Sequence, residues 1–306
     1  MNKIVILGAQ GMLGQELVNI FSHDEKYQVL AWDVADIDVT NTPLLGEKLA
    51  ELSPNIVVNA VAYNAVDAIE ENAEELSKAT LLNVDLPKNL ARLSSELDFT
   101  LVHYSTDYVF DGTLEAPVEK KCQGACCGGN CHGTKAGYDE KSLPNPLSKY
   151  GETKYAGERT LPNNTETYYL IRLSKLFGKP ATSALGKRSF FDMMLELGKT
   201  KPEMNVVDGE MSCFTYAPDL AKATKELLES DDAFGIYHLV NEGAVTWYES
   251  VLELYRQAGI TTPVKPVSAD AFPRPAKRPA LSVLVNTKRP KLRHYSEALQ
   301  DFLKRV

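Results

Sequence analysis

The sequence predicts an α/β protein: a doubly wound parallel sheet with helices on both faces, and a smaller C-terminal domain. Three observations support this prediction. Short apolar runs alternate with helical stretches, a glycine-rich turn follows the first run, and no apolar run approaches the ~18 residues of a membrane span. The chain has 306 residues, 44% of them hydrophobic and 24% charged, which is typical of a folded globular protein with room for two domains.

The predicted strands are short apolar runs bounded by glycine or polar residues, as in strands buried on both faces. They are residues 3–7, 28–32, 55–61, 99–104, 168–173 and 236–240. Helices are expected directly after the glycine-rich turn and over 66–97, 148–160 and 219–229. Within 66–97, Pro87 predicts either a kink or a new helix that begins after Asp85. The proline-rich, basic segment 263–290 is expected to be an ordered loop over a site rather than a regular element.

This order of elements divides the chain into two domains. Residues 1–175 plus about 216–242 are predicted to form the sheet domain, with a cysteine-rich insert at about 118–137. Residues of about 176–215 plus 243–306 are predicted to form the smaller domain, which would bind the substrate.

The charge and the first residues narrow the class of protein. The net charge of −8 disfavours nucleic acid as a partner. The opening MNKIVILGAQG has too few apolar residues before its first glycine for a secretory signal. We therefore expect a cytoplasmic protein with neither a membrane nor a nucleic acid as partner, and leave open whether it forms a homodimer.

The glycine-rich turn predicts a dinucleotide site. Gly8, Gly11 and Gly14 lie in GAQGMLG between the first strand and the first helix. Glycine allows the backbone to approach a pyrophosphate, and the helix N-terminus supplies N–H groups to the anion. A plain tight turn is the alternative, but the position after a strand and before a helix favours the Rossmann type of nucleotide-binding turn.

The end of the second predicted strand bears on the choice of cofactor. Asp33 follows Gly14 by 19 residues, where a carboxylate accepts hydrogen bonds from the adenosine ribose and repels a 2′-phosphate. This favours NADH over NADPH, with a solvated aspartate as the alternative. Asp38 and Val39 are candidates to flank the adenine, and loop packing explains them equally well.

A tyrosine and a lysine form the candidate catalytic pair. Tyr150 and Lys154 are four residues apart in a predicted helix and therefore lie on one face. A tyrosine with a pKa near ~10 exchanges protons poorly at neutral pH, and a nearby ammonium lowers that pKa. Ser105 and Thr106 end a predicted strand at the edge where open α/β sheets bind ligands. An exposed helix face is the alternative for a YxxxK match alone.

With this glycine turn, strand-end Ser-Thr pair and Tyr-Lys pair, the chain resembles the dTDP-4-dehydrorhamnose reductase family of extended short-chain dehydrogenases/reductases. The motifs that carry the resemblance are GAQGMLG (8–14), VVNAVAYNAVDAIE (57–70), VHYSTDYVFDG (102–112), NPLSKYGETKYAGE (145–158), GIYHLVN (235–241) and RPALSVLVNTK (278–288). The resemblance implies reduction, by NADH or NADPH, of the C4 keto group of a nucleotide-linked deoxysugar. The reaction would be dTDP-4-dehydro-L-rhamnose to dTDP-L-rhamnose, in the biosynthesis of rhamnose and cell-surface polysaccharide.

The resemblance also implies site residues. The implied catalytic triad is Thr106, Tyr150 and Lys154. The implied cofactor contacts are Gly8, Gln10, Gly11, Met12, Leu13, Gly14, Asp33, Asp38, Val39, Ala60, Ala62, Tyr150 and Lys154. Asn64, Asp67, Asp107 and Tyr108 lie on segments that border the substrate in the family. To these we add three basic residues, Lys175, Arg274 and Arg278, as candidates to meet the diphosphate, with a solvated basic loop as the alternative.

Three departures from the family pattern leave the sugar open. The family reads R-T-S-W where this chain has Arg172-Leu173-Ser174-Lys175, so a cation replaces the tryptophan that packs on the deoxysugar. The family segment D-Q-x-G-x-P-T is GEMSCFT at 209–215. The third departure is an insert of about 20 residues between the strand-end Ser-Thr pair and the YxxxK helix.

Two other functions remain open on the sequence. An NAD-dependent nucleotide-sugar epimerase needs only the triad, whereas a 4,6-dehydratase is disfavoured because Asp107 is followed by Tyr108 and not by glutamate. The other is a non-catalytic, reductase-like regulatory subunit such as that of methionine adenosyltransferase, against which the intact triad argues.

The insert contains candidate ligands for a structural zinc ion. Its thiols and imidazole are Cys122, Cys126, Cys127, Cys131 and His132. Soft thiolates and an imidazole suit zinc, and the ion would order a segment with little apolar surface. The spacing lacks CxxC pairs, so a loop with reduced thiols and a disulfide formed on oxidation are the alternatives.

Elemental analysis of protein purified without chelator tests the zinc prediction. A structural site predicts about one metal ion per chain, and Cys126→Ser or Cys131→Ser lowers that content because each removes a ligand. A content below about 0.2 per chain that neither substitution changes would contradict the prediction.

Overall fold

A computed structural model describes residues 1–114, 137–183, 186 and 188–305. In chain order its strands are β1 (Asn2–Leu7), β2 (Tyr27–Trp32), β3 (Ile56–Asn59), β4 (Thr100–Thr106), β5 (Tyr168–Leu173), β6 (Leu176–Phe177), β7 (Met204–Val207), β8 (Met211–Ser212), β9 (Thr215–Tyr216), β10 (Gly235–His238), β11 (Asn241–Glu242), β12 (Val245–Thr246), β13 (Val264–Val267) and β14 (Leu292–His294). Its α-helices are α1 (Met12–Ser22), α2 (Thr42–Leu52), α3 (Val66–Glu71), α4 (Ala73–Thr80), α5 (Leu86–Leu97), α6 (Lys149–Thr160), α7 (Phe190–Thr200), α8 (Ala217–Leu228), α9 (Trp247–Ala258) and α10 (Tyr295–Leu303).

Six strands form one parallel sheet in the order β2-β1-β3-β4-β5-β10. The order reverses between β1 and β3, which makes the carboxyl edge beside β1 the expected ligand crevice. Alternate residues of β1 pack into different cores: Ile4 joins α1 and α8 on one face, while Val5 joins α2 and α5 on the other. The prediction of a doubly wound α/β sheet is confirmed.

The smaller hydrophobic core lies outside this sheet. Its buried aromatic side chains include Phe177, Phe191, Phe214 and Phe302, contributed by β6, α7, the segment before β9, and α10. Short two-stranded sheets accompany it, such as β7 with β13 and β8 with β12. The division of the chain into two domains stays a prediction, and α8 and β10 pack with the main sheet as that prediction requires.

The structure resolves the alternatives at Pro87 and tests the expectation for segment 263–290. Pro87 lies in the first turn of α5, whose N-cap is Asp85, and one π-helical turn (Leu81–Asp85) joins it to α4, so a new helix does begin there. The expectation that 263–290 holds no regular element is wrong, because Val264–Val267 pairs in parallel with β7. An edge strand accommodates Pro266, since only one of its sides is hydrogen-bonded.

Among the described residues, none of the helices is long and apolar enough to cross a membrane.

Candidate active site

The glycine-rich turn forms an open cradle at the N-terminus of α1. Gly8 has φ +77°, in the left-handed region, and the Cβ of any residue at position 14 would lie 2.0 Å from the Gly8 carbonyl oxygen. Gly11 caps α1 without a side-chain hydrogen bond, and no acidic residue lies in the first turn. The N–H groups of Met12 and Leu13 have no partner within the helix, so the turn fits the pyrophosphate of a dinucleotide.

Asp33 lies directly beside this cradle. Its Oδ2 accepts a hydrogen bond of 2.8 Å from the backbone N–H of Gln10, and its Oδ1 accepts one of 2.9 Å from that of Val34. Ala60 lies on the other side, where its carbonyl oxygen is 3.2 Å from the position of a Cβ on Gly8. The structure therefore brings the glycine turn, the carboxylate and the end of β3 together.

The remaining cofactor candidates lie farther along the same edge. Asp38 accepts hydrogen bonds of 2.9 and 2.7 Å from the backbone and side chain of Thr40, which shapes the loop after β2 and holds the pKa of Asp38 below its usual range. Val39 packs against the core, while Ala62 is exposed. The contacts of these residues with a cofactor stay predictions.

The catalytic candidates meet where β4 ends. Thr106 is the last residue of β4 and is partly exposed, whereas Ser105 is buried, and its hydroxyl has no partner in the described part of the chain. The α6 helix begins one residue before Tyr150, with Ser148 as N-cap. A Cβ on Gly151 would lie 2.3 Å from the Tyr108 carbonyl oxygen, so glycine allows α6 to approach the turn after Thr106.

The ionisable groups of the pair are enclosed by the protein. Burial raises the pKa of Tyr150 to about 12, while the Thr106 hydroxyl acts in the opposite direction. The phenol is therefore protonated at neutral pH, as a proton donor must be. The expectation that the Lys154 ammonium lowers the pKa of Tyr150 is not met, because burial outweighs the groups that lower it. Lys154 Nζ donates a hydrogen bond of 2.7 Å to the Tyr104 carbonyl oxygen, and burial lowers the pKa of Lys154 to about 8.

Asp107 organises the hydroxyl groups around Thr106. Its carboxylate accepts hydrogen bonds from Thr106 Oγ1 at 3.1 Å, Ser174 Oγ at 2.8 Å and Ser282 Oγ at 2.6 Å. Burial raises the pKa of Asp107, and these hydroxyls counteract it. Thr106 Oγ1 also accepts a hydrogen bond of 3.2 Å from the Tyr108 backbone N–H, so the hydroxyl is held from both sides. Tyr108 packs edge-on against the Tyr150 ring, with a centroid distance of 5.9 Å.

The sequence analysis missed several residues that hold this site together. Asn83 joins the loop after β3 to α6: it accepts from the Tyr63 N–H at 2.9 Å and donates to Thr153 Oγ1 at 3.1 Å. Ser174 and Ser282 were not singled out either, although Ser282 lies within the motif at 278–288. Their partners are far away in sequence, so no local pattern identifies them.

Two of the three basic candidates are paired with carboxylates. Arg278 binds Asp67 through both oxygens, at 2.5 and 2.7 Å, and this bond holds the pKa of Asp67 below its usual range. Arg274 pairs with Glu210. Both pairs join the segment after β13 to other parts of the chain. The predicted contacts with a diphosphate are not tested by this arrangement and stay predictions.

The other candidates have distinct surroundings. Lys175 Nζ lies 3.5 Å from the centroid of the Trp247 ring and has no hydrogen-bond partner among the described residues. Asn64 is an exposed residue of the loop between β3 and α3. The candidate zinc ligands Cys122, Cys126, Cys127, Cys131 and His132 lie outside the described residues, and the described part of the chain contains no cluster of ligands that could hold a metal.

The arrangement defines a class of protein. A parallel sheet carries a glycine cradle after its first strand, and a threonine, a tyrosine and a lysine meet at the carboxyl edge of its fourth. This combination is typical of extended short-chain dehydrogenases/reductases, which bind a dinucleotide in the cradle and transfer protons through the tyrosine.

Comparison with known proteins narrows the class to a family. The sequence model described as RmlD substrate binding domain matches residues 1–306. The chain therefore belongs to the RmlD substrate-binding domain family, as the motifs predicted.

Relatives and solved structures agree with this assignment. The dTDP-4-dehydrorhamnose reductase of Aggregatibacter actinomycetemcomitans is 31% identical, over 94% of this chain and 92% of that protein. The probable dTDP-4,6-dihydroxy-2-methyloxan-3-one 4-ketoreductase of Streptomyces antibioticus is 34% identical, over 92% and 85%. The crystal structure of dTDP-4-dehydrorhamnose reductase from Bacillus anthracis str. Ames in complex with NADP superposes with a TM-score of 0.86 at 29% identity, over 100% of both chains.

Proposed function

We propose that this chain reduces the C4 keto group of a nucleotide-linked deoxysugar with a hydride from NADH or NADPH. The observation that carries the proposal is the position of the protonated Tyr150 phenol beside Thr106, on the same carboxyl edge of the sheet as the glycine cradle. Relatives named as reductases of dTDP-4-dehydrorhamnose support dTDP-4-dehydro-L-rhamnose as the substrate and dTDP-L-rhamnose as the product.

Each residue of the triad has a separate task. Tyr150 holds the keto oxygen and donates its proton to that oxygen as the alcohol forms. Thr106 donates its hydroxyl proton to Asp107 in the free protein, and it orients the carbonyl when it turns that proton towards the substrate. Lys154 lies one helical turn after Tyr150, where its ammonium stabilises the phenolate that the proton transfer leaves behind. The nicotinamide cofactor, when bound, supplies the hydride to C4. Asp107 keeps the Thr106 hydroxyl oriented through its 3.1 Å hydrogen bond.

The nicotinamide preference is proposed from Asp33. Its carboxylate lies beside the glycine cradle, where it would accept hydrogen bonds from a ribose and repel a 2′-phosphate. NADH is therefore proposed as the preferred cofactor. The NADP complex of the Bacillus anthracis structure is a property of that protein, so the two cofactors have to be compared directly on this chain.

Oxidation of NADH and of NADPH against a panel of 4-keto nucleotide sugars tests the proposal. We expect turnover of dTDP-4-dehydro-L-rhamnose, with the higher kcat/KM for NADH. Asp33→Ser is expected to reverse the cofactor preference without changing the sugar preference, because it removes the charge that repels a 2′-phosphate. Absence of turnover with every sugar and both cofactors would overturn the proposal.

Arg278 gives a separate test of substrate binding. We expect Arg278→Glu to raise KM for the nucleotide sugar at least about tenfold while KM for the nicotinamide cofactor stays unchanged, because a guanidinium that meets the diphosphate contributes charge-assisted hydrogen bonds. Steady-state kinetics in which each substrate is varied in turn measures both constants.

The pairing of Arg278 with Asp67 requires a matched control, because Arg278→Glu also places two carboxylates together. The double variant Asp67→Arg/Arg278→Glu restores an ion pair of reversed polarity. If it also restores KM for the nucleotide sugar, or if Arg278→Glu raises both constants equally, then Arg278 has a folding role and does not meet the diphosphate.

A further inference from the structure

Lys175 lies next to the network that orients the catalytic threonine. It is the second residue after β5, and the preceding Ser174 donates its hydroxyl proton to Asp107, the residue that follows Thr106. Lys175 has φ 37°, a left-handed backbone conformation that few residues other than glycine adopt. Such conformations persist where the surrounding structure imposes them, and they occur most often at functional sites.

The ammonium group of Lys175 has aromatic neighbours and no hydrogen-bond partner. Nζ lies 3.5 Å from the centroid of the Trp247 ring and 5.1 Å from that of Phe214. It is enclosed by the protein, yet none of its three donors is bonded within the described residues. Burying an ammonium without a hydrogen-bond acceptor is costly, so a chain that keeps this lysine is expected to use it. The residue as a whole is partly exposed, and the flexible four-carbon side chain allows the ammonium to change its direction.

We propose that Lys175 is a specificity-determining residue that donates a hydrogen bond to an oxygen of the substrate's sugar. The substrate class that it selects is a nucleotide-linked keto sugar with a hydroxyl group on the side that faces Lys175 and Trp247. This inference deepens the proposed function and rests on it, because it places the sugar beside Thr106 and Asp107.

The surroundings favour a sugar hydroxyl over the diphosphate as the partner of Lys175. The carboxylates of Asp107 and Glu210 both lie close enough to act on the charge of Lys175, and only Glu210 is paired with a cation, Arg274. An anionic diphosphate at this point would approach the Asp107 carboxyl group, which forms no ion pair within the described residues, whereas a neutral hydroxyl would meet no such repulsion. The indole of Trp247 offers an apolar surface beside the ammonium, which suits the mixed polar and apolar faces of a sugar ring.

The proposed role of Lys175 predicts that the affinity for the sugar depends on pH. Burial lowers the pKa of Lys175 to about 7; Asp107, Glu210 and Cys213 raise it, and Arg274 lowers it further. Because the charged ammonium is the stronger donor, affinity for the sugar is expected to fall as pH rises above this value. The variant Lys175→Met should lose that dependence, whereas other titrating groups affect both proteins alike.

The test compares ligands that share the diphosphate but differ in the sugar. Calorimetric affinities for dTDP-L-rhamnose and for dTDP are measured without nicotinamide cofactor, for the wild type, Lys175→Met and Lys175→Arg. We expect Lys175→Met to lower the affinity for dTDP-L-rhamnose by about 10- to 100-fold, the range for a hydrogen bond to a charged group. The affinity for dTDP should stay within about twofold of the wild-type value. We expect Lys175→Arg to recover part of the loss. Lys222→Met, at an exposed lysine of α8, is the matched control.

Three results of the binding measurements would overturn the inference. The first is an equal loss of affinity for dTDP, which would assign Lys175 to the diphosphate. The second is an unchanged or tighter affinity of Lys175→Met for dTDP-L-rhamnose. The third is a wild type that binds dTDP-L-rhamnose no better than dTDP. Failure of the proposed function is a separate observation, because it appears as absent turnover and does not affect these binding measurements.

Thermal unfolding separates a binding role from a structural one. In the folded protein the pKa of Lys175 is about 7, below its ordinary value of 10.5, so the unfolded chain binds more protons between these pH values. The free energy of unfolding of the wild type, measured relative to that of Lys175→Met, therefore increases from pH 7 to pH 10. At pH 7 we expect Lys175→Met to unfold at the same or a higher temperature, since it removes an unpaired buried charge. If Lys175→Met unfolds at a lower temperature than the wild type at pH 7, and its affinities for both ligands are reduced equally, Lys175 has a structural role and the inference is overturned.

Discussion

Tyr150→Phe is expected to lower kcat by about 10²- to 10⁴-fold, the usual contribution of a positioned general acid. The phenol lies close enough to Thr106 for that hydroxyl to affect its pKa, and burial raises the pKa of Tyr150 to about 12, so the phenol carries its proton at neutral pH. The substitution removes that proton and keeps the ring that packs edge-on against Tyr108. Affinity for the nicotinamide cofactor should survive, because the glycine cradle is untouched. Steady-state kinetics and a fluorescence titration with NADH measure the two quantities.

Tyr155→Phe is the matched control for this experiment. It makes the same chemical change five residues later on α6, at a partly buried tyrosine that packs against the core around Phe110. We expect its kcat to stay within about twofold of the wild type, as is usual for a change away from the reacting groups. Near-normal turnover by Tyr150→Phe would remove Tyr150 from the acid role.

Gly14→Ala is expected to weaken binding of the nicotinamide cofactor by about 10²-fold or more. This is the loss in affinity that two or more charge-assisted hydrogen bonds represent. The new Cβ would lie 2.0 Å from the Gly8 carbonyl oxygen and 2.8 Å from the Ala9 Cα. Both are backbone atoms, so the turn must move, and the N–H groups that face the pyrophosphate move with it. Titration of the variant with NADH gives the dissociation constant.

Gly46→Ala provides the control for a glycine in a helix. Its new Cβ would meet only a methyl group of Leu93, at 3.3 Å, which is the end of a flexible side chain. Alanine also has the higher helix propensity, so the variant is expected to fold and to bind NADH normally. A dissociation constant for Gly14→Ala equal to that of Gly46→Ala would show that the turn does not hold the pyrophosphate.

Much of the main sheet could be predicted from the sequence because its four central strands, β1, β3, β4 and β5, are buried on both faces. Such strands appear as continuous apolar runs, and Tyr168–Leu173 has the predicted bounds. The glycine spacing and the Tyr150–Lys154 spacing are also local, and they led to the correct family. The family match and the six-stranded parallel sheet confirm the corresponding predictions.

The elements that were missed had weaker or longer-range signals. For α2, the N-cap Asn41 followed by Pro43 was a local signal that could have been used. Strand β13 gave no such signal, because its two exposed residues include a proline and its partner β7 lies about 60 residues earlier.

The surroundings of the site residues were the least predictable part. Asp107 is bonded to Ser282, which is 175 residues away, and Lys175 lies against Trp247 across the smaller core. Contacts of this kind depend on how the elements pack together. The sequence therefore identified Lys175 as a departure from the family pattern, but it did not predict that the ammonium would be enclosed and unpaired.

Transfer of deuterium from a labelled cofactor tests the central claim most directly. The protein is incubated with dTDP-4-dehydro-L-rhamnose and NADH that carries deuterium at both positions of nicotinamide C4, and the product is analysed by mass spectrometry and proton NMR. If the protein is a reductase with the geometry described above, each dTDP-L-rhamnose formed will carry one deuterium at sugar C4, and one NAD⁺ will be released with it. Interconversion of C4 epimers by tightly bound NAD, without net oxidation of NADH or deuterium in the product, would contradict the claim and favour the epimerase.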